Sequence, residues 1–156
     1  MAALLFLNVG EMSKYEGLKS DAITGGGKNV ELHGYGGEIL NFKKFRGRMY
    51  GYAHAPHDSI NVQKLGAQKN EDHADGVLVI WVAKSHIVGW YKNATVFRKV
   101  QAPPTNSART YKGHPIKYNA TAKATDCTRI DRDERHFAVP RARERKKWDG
   151  QVPLVR

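Results

Sequence analysis

The chain has 156 residues, with 26 Lys and Arg against 15 Asp and Glu, a formal net charge of +11 and a pI near 9.8. That length predicts one domain with a real core, and the basic excess points to an anionic partner, nucleic acid before others, with an inert basic surface as the plain alternative. A single cysteine, Cys127, excludes an internal disulfide and a multi-cysteine zinc site and fits a reducing, cytoplasmic compartment.

Residues 1–7 are apolar but lack a basic leader, and are too few to cross a bilayer. The first strand is expected over 4–9, and no membrane association is expected. Met12, Tyr15 and Leu18 recur at helical spacing, which predicts a short helix over 11–18 with Ser13 as a weak cap. Two glycine-rich stretches follow, Gly25-Gly26-Gly27-Lys28 and His33-Gly34-Tyr35-Gly36-Gly37-Glu38. The first lacks the Lys-Ser/Thr pair of a phosphate loop. Both read either as surface loops or as loops that approach a ligand or a phosphate backbone closely.

Lys43, Lys44, Arg46 and Arg48 are interleaved with Phe42 and Phe45 and followed by Tyr50 and Tyr52. Cations hold phosphates and rings stack on bases, so the segment suits nucleic acid; solvated strand-edge charge is the alternative. A strand is expected over 49–53, with Tyr50 and Tyr52 on one face. His54, His57 and Asp58 lack further ligands nearby, so no metal site is expected. Alternation of Ile60 and Val62, continued less cleanly by Leu65, predicts a strand over 59–65, and polar residues 68–75 predict a loop.

Residues 76–98 organise the chain. Two apolar runs rich in β-branched and aromatic residues flank Lys84-Ser85-His86, the pattern of an antiparallel hairpin at a sheet centre. A turn centred near Ser85 sets Trp81 opposite Gly89 and Trp90 opposite Ile80, on opposite faces. Gly89 is then expected to leave room for the Trp81 ring. Trp90-Tyr91-Lys92-Asn93-Ala94-Thr95 places rings, a cation, an amide and a hydroxyl on one strand, suited to a flat polar ligand. The sequons at Asn93 and Asn119 read as chance matches.

Residues 101–108 read as a connection, 111–118 and 119–127 as one or two strands, and 136–140 as a closing strand. Residues 142–156 form a basic tail carrying Arg143, Arg145, Lys146 and Lys147, either a phosphate-binding arm or a solvated end. Cys127 reads as a structural thiol. No nucleotide-binding or hydrolase motif occurs, so no catalytic residue and no cofactor is assigned.

Several of these runs together resemble one family. They are Asn8-Val9-Gly10, Lys14-Tyr15, Gly25-Gly26-Gly27-Lys28, Gly34-Tyr35-Gly36-Gly37-Glu38, Asn41-Phe42, residues 77–83, residues 87–96, Tyr118-Asn119, Ala122-Lys123-Ala124, Asp126-Cys127 and residues 135–141. The pattern is similar to the N-terminal domains of HNH-type, modification-dependent restriction endonucleases, which resemble the PUA superfamily in its EVE and YTH branches. The resemblance covers residues 4–141, and Gly89–Thr95 carries its most specific part. It implies an α+β fold over residues 1–141, a curved, mixed, barrel-like sheet flanked by short helices. It also implies a domain that holds a modified base, flipped from DNA, in an aromatic pocket. The cage candidates on that basis are Trp81, Trp90, Tyr91, Tyr50 and Tyr52. Asn93 would bond the base edge with Thr95 assisting, and Lys92 would hold a flanking phosphate. Lys28, Lys43, Lys44, Arg46, Arg48, Arg98 and the tail cations would contact the backbone. The modification is expected to be a modified cytosine or methyladenine, in DNA before RNA. The chain carries no HNH module, so cleavage is expected to need a separate nuclease subunit. The rival readings are a small PUA-like amidohydrolase or nuclease acting on modified nucleosides or RNA, and an interaction subunit without a working pocket.

Overall fold

A computed structural model describes residues 2–140, the side chain of Asn29 excepted. The tail cations Arg143, Arg145, Lys146 and Lys147 lie outside the described residues. Nine elements follow in order: β1 (Leu4–Asn8), α1 (Lys28–His33), β2 (Arg48–Gly51), β3 (His73–Ala83), β4 (His86–Gln101), β5 (Thr110–Tyr111), β6 (His114–Pro115), β7 (Tyr118–Lys123) and β8 (Cys127–Arg129). The architecture is α+β: a mixed sheet with one short α-helix and several 3-10 turns. The sheet runs β1-β3-β4-β7-β2, with β8 on the first part of β4. β1 is parallel to β3 and the other neighbours are antiparallel. Among the described residues no strand pairing joins β1 to β2, so the sheet path is open. No described helix is long and apolar enough to cross a membrane.

The β3–β4 hairpin is the centre, as the apolar runs predict. Lys84 and Ser85 both take positive φ, 48° and 64°, and make a tight two-residue turn. Trp81 pairs with Gly89 and Ile80 with Trp90, which is the expected register. β4 is long enough to serve two neighbours on one edge: residues 89–91 pair with β8 and residues 95–101 with β7. The core lies on the face bearing Leu5, Leu7, Val77, Val79, Trp81 and Tyr91, all fully buried. Each such side chain is worth about 1.5–3 kcal/mol of burial.

Several local expectations are corrected. Residues 11–18 are not helical. Tyr15 has φ 58°, and the Asp21 carboxylate takes the backbone N–H groups of Ser13, Lys14 and Tyr15 at 2.6, 2.7 and 3.1 Å. The helical spacing instead buries Met12 and Tyr15 from a loop folded around Asp21. The helix that does form, α1, sits between the glycine stretches. Residues 59–65 are not a strand. A 3-10 turn at Val62–Leu65, with three residues per turn, brings Val62 and Leu65 to the same side, and Gly66 ends it at φ 103°. β3 begins at His73, inside the expected loop; of the one or two strands expected over 111–127, the first part forms only the short β5–β6 hairpin and the second the strand β7. The closing segment forms one bridge, His86 to Ala138, with Val139 N–H bonding the Ser85 carbonyl at 2.7 Å.

Gly89 serves a different neighbour from the one expected. A Cβ there would lie 2.6 Å from the Phe42 ring and 2.4 Å from the Thr128 carbonyl oxygen. The residue that makes room for Trp81 is Gly51, where a Cβ would meet Trp81 Cζ2 at 2.6 Å and the Tyr91 hydroxyl at 2.8 Å.

Candidate functional site

The five rings proposed as a cage do not share one site. Trp81 is fully buried and meets Tyr91 edge-on, with centroids 5.2 Å apart. Tyr91 is also fully buried, meets Phe42 edge-on at 5.7 Å, and donates its hydroxyl to the Asn41 carbonyl. Both rings are core. Trp90 is half-buried on the opposite face, between Ile80 and Thr128. Tyr50 packs edge-on against Tyr118 at 4.9 Å and lies under the Arg109 guanidinium. Arg109 is itself buried and donates to the Leu40, Lys43 and Tyr50 carbonyls, so it ties segments together.

The polar candidates on β4 are also dispersed. Lys92 and Asn93 are exposed, Asn93 at φ 49°, and the Thr95 hydroxyl donates to Asp75 at 2.6 Å. Arg98 is engaged with the Glu71 carbonyl at 2.7 Å, which orders the loop before β3. Arg48 reaches Thr121 Oγ1 at 3.4 Å, and Arg46 lies over its neighbour Phe45. Lys43 and Lys44 are exposed.

One proposed ring, Tyr52, and one proposed cation, Lys28, meet in a cavity of about 760 Å³. That is within the range of about 300–1,000 Å³ usual for small-molecule sites. The cavity is built by three separated parts of the chain. The glycine-rich stretches supply Gly26, Lys28, Tyr35, Gly36, Gly37 and Glu38. The segment after β2 supplies Tyr52, His54 and Asp58, and the ends of β4 and β6 bring Lys99, Ile116 and Lys117.

β2 ends at Gly51, two residues short of the strand expected over 49–53, so Tyr52 stands just past the strand. Tyr52 is instead fixed by Asn41, whose Oδ1 accepts the Tyr52 N–H at 2.8 Å and whose Nδ2 donates to the Tyr52 carbonyl at 3.0 Å. Asn119 repeats this pairing one residue later, on Ala53. The Tyr52 ring lies against Gly37, where a Cβ would be 2.4 Å from Tyr52 Cδ1. Tyr35 is held at the side by Tyr111 of β5, with centroids 4.4 Å apart.

Glu38 is the one acidic side chain of this region that is buried, at 6 % exposure. Its Oε2 accepts the Gly10 N–H at 3.1 Å. A Cβ at Gly36 would fall 2.0 Å from Glu38 Oε1, and one at Gly26 3.3 Å from Oε2. The glycines therefore leave the space that the carboxylate fills. Burial raises the Glu38 pKa above the ordinary glutamate value, against smaller lowering by its own and the Gly10 N–H and by nearby His54. Burial likewise raises the Tyr52 hydroxyl, helped by the charges of Glu38 and Asp58. Lys28, Lys99 and Lys117, which line the same cavity, are exposed. Among the described residues no group of three or more His, Cys, Asp or Glu is placed to hold a metal ion.

The sequence signal for this site lies in the glycine stretch 33–38, which reads either as a surface loop or as a loop that closely approaches a ligand or a phosphate backbone. Lys99 and Lys117 carry no local pattern; only the fold brings them to Glu38. In comparison with known proteins, no family model, no curated protein and no solved structure matches the chain.

Proposed function

We propose that the chain is a nucleic-acid-binding domain of PUA-like, EVE/YTH-like type that takes a modified base, flipped from DNA, into the Tyr52–Glu38 cavity. One observation carries the reading. A ligand-sized cavity combines two tyrosine rings and a buried carboxylate with three exposed lysines from separate segments, in a chain of net charge +11. Rings stack on any base, at about 1–3 kcal/mol each, and lysines hold the flanking phosphates. An intrahelical base cannot be enclosed while stacked, so enclosure implies flipping. The likeness to modification-dependent endonuclease domains supports DNA, a modified cytosine or methyladenine, and a place in restriction or defence, with any cleavage supplied by a separate nuclease subunit.

The test is fluorescence anisotropy on short duplexes that are unmodified or carry methylcytosine, hydroxymethylcytosine or methyladenine. One modified duplex is expected to bind at least about tenfold more tightly than the unmodified one, a difference of about 1.4 kcal/mol. Equal binding of all duplexes would reduce the basic surface to a backbone contact and end the modified-base reading.

A further inference from the structure

We propose that the Glu38 carboxylate is a base-edge acceptor that selects bases carrying an exocyclic amine, the cytosine and adenine classes, over their oxo counterparts. The inference rests on reading the cavity as a base site and names what that site accepts. Glu38 is the one buried charged side chain on a cavity whose other charged lining residues, Lys28, Asp58, Lys99 and Lys117, are exposed. A cavity meant only for phosphate would not bury a carboxylate at its inner end, because like charges repel and an unpaired buried charge is costly. The carboxylate is not there as half of an ion pair: no described cation lies within salt-bridge distance of it.

Its position is built rather than incidental. Glu38 stands in the 3-10 turn Gly37–Leu40, whose residues Ile39 and Leu40 are buried and anchor it. The Gly10 N–H fixes Oε2, and Gly26 and Gly36 lack the Cβ atoms that would displace the carboxylate. Carboxylate oxygens accept several hydrogen bonds, so Oε2 can hold Gly10 while the group still takes an N–H from a ligand. Cytosine N4 and adenine N6 present that N–H; thymine, uracil and hypoxanthine present a carbonyl oxygen at the same place. Oxygen facing oxygen leaves both unpaired, which is the strong form of discrimination between near-isosteric ligands. Methylation at carbon 5 of cytosine leaves the N4 amine intact, and single methylation of the amine itself still leaves one N–H.

The closest matched pair is 5-methylcytosine and thymine, which share the ring methyl and differ at the exocyclic group and the N3 proton. Single strands carrying one or the other at a central position, and a second pair with adenine or hypoxanthine, remove the cost of opening a duplex. Wild-type protein is expected to bind the amino member of each pair about fivefold or more tightly, the lower end of what one base-edge contact supplies. In Glu38→Gln the amide oxygen keeps the Gly10 N–H, and the amide nitrogen turns a donor toward the cavity. The amino preference is then expected to fall to parity or reverse. Equal wild-type affinity for both members overturns the inference whether or not the variant folds, and so does an unchanged preference in a folded Glu38→Gln. In either case binding itself persists and the base-site reading stands; absence of binding to any strand would overturn both.

Discussion

Asn41 holds the backbone of Tyr52 from both sides, accepting its N–H at 2.8 Å and donating to its carbonyl at 3.0 Å. This pair does the work of a strand neighbour beyond the end of β2, and so sets the Tyr52 ring against Gly37 beside the cavity. Asn41 is 1 % exposed. Asn41→Ala strands two polar groups and is expected to cost on the order of 1–3 kcal/mol in urea unfolding. It should also weaken binding of modified duplexes more than of unmodified ones, because it loosens the ring and not the lysines. Equal weakening of both would show that Asn41 acts on stability alone.

Trp81 and Trp90 are nine residues apart on one hairpin yet differ in environment. Trp81→Ala empties a site packed by Gly51 and Tyr91 and is expected to destabilise by about 3–5 kcal/mol. Gly51→Ala, which forces a methyl onto the Trp81 and Tyr91 side chains, is expected to cost about 1–3 kcal/mol. Trp90→Ala should cost clearly less than Trp81→Ala, since Trp90 is half-buried. Thermal and urea unfolding of the three variants give the order directly.

The Glu38 carboxyl has a raised pKa because folding buries it, so the native state binds its proton more tightly than the unfolded chain does. The sign follows from linkage: stability contributed by this group is full below the ordinary value of 4.5 and is lost as pH rises from there through the native pKa. The stability of wild type relative to Glu38→Gln should therefore fall with rising pH across that window. A difference that stays flat, or grows with pH, would contradict a desolvated carboxyl at this position.

Cys127 lies in β8 opposite Tyr91, with its thiol donating to the Lys123 carbonyl at 3.3 Å. Burial pushes its pKa up to about 12, with the Asp126 charge adding to the rise. The thiolate is the reactive form, so native protein at mildly alkaline pH should react with a thiol reagent far more slowly than the same protein in denaturant. Equal rates would show an accessible thiol and a misplaced β8.

The central hairpin was legible because its two apolar runs are continuous, β-branched and separated by a polar pair. Its register followed from the turn position alone, and Trp81 against Gly89 matches. The size of the Gly51 and Gly89 gaps was not legible, since each is filled by a residue distant in sequence, Trp81 and Phe42. Residues 11–18 and 59–65 misled for a shared reason. Their apolar spacing reports burial, but Asp21 in one case and a 3-10 turn in the other supply burial without the regular element. The cavity was half visible: the glycine stretch marked a turn-rich loop, in which Gly36 leaves room for Glu38 and Gly37 for the Tyr52 ring, while Lys99 and Lys117 join it only through the run of β4 and the β5–β6 hairpin.

Lys99 and Lys117 line the cavity together with the glycine loop and are exposed. Replacing each by Glu should lower affinity for modified and unmodified duplexes alike and reduce the slope of log affinity against log salt by about 1 per lysine that contacts phosphate. An unchanged slope would place the phosphates elsewhere on the basic surface.

The most direct measurement of where the base is read is the affinity ratio of modified to unmodified duplex for wild type, Tyr52→Ala and Trp90→Ala, at one salt concentration. With the base in the Glu38 cavity, Tyr52→Ala should collapse the ratio toward one while Trp90→Ala leaves it within about twofold of wild type, a difference of about 0.4 kcal/mol. If Trp90→Ala collapses the ratio and Tyr52→Ala preserves it, the base is read on the opposite face of the sheet, and the cavity is not the site.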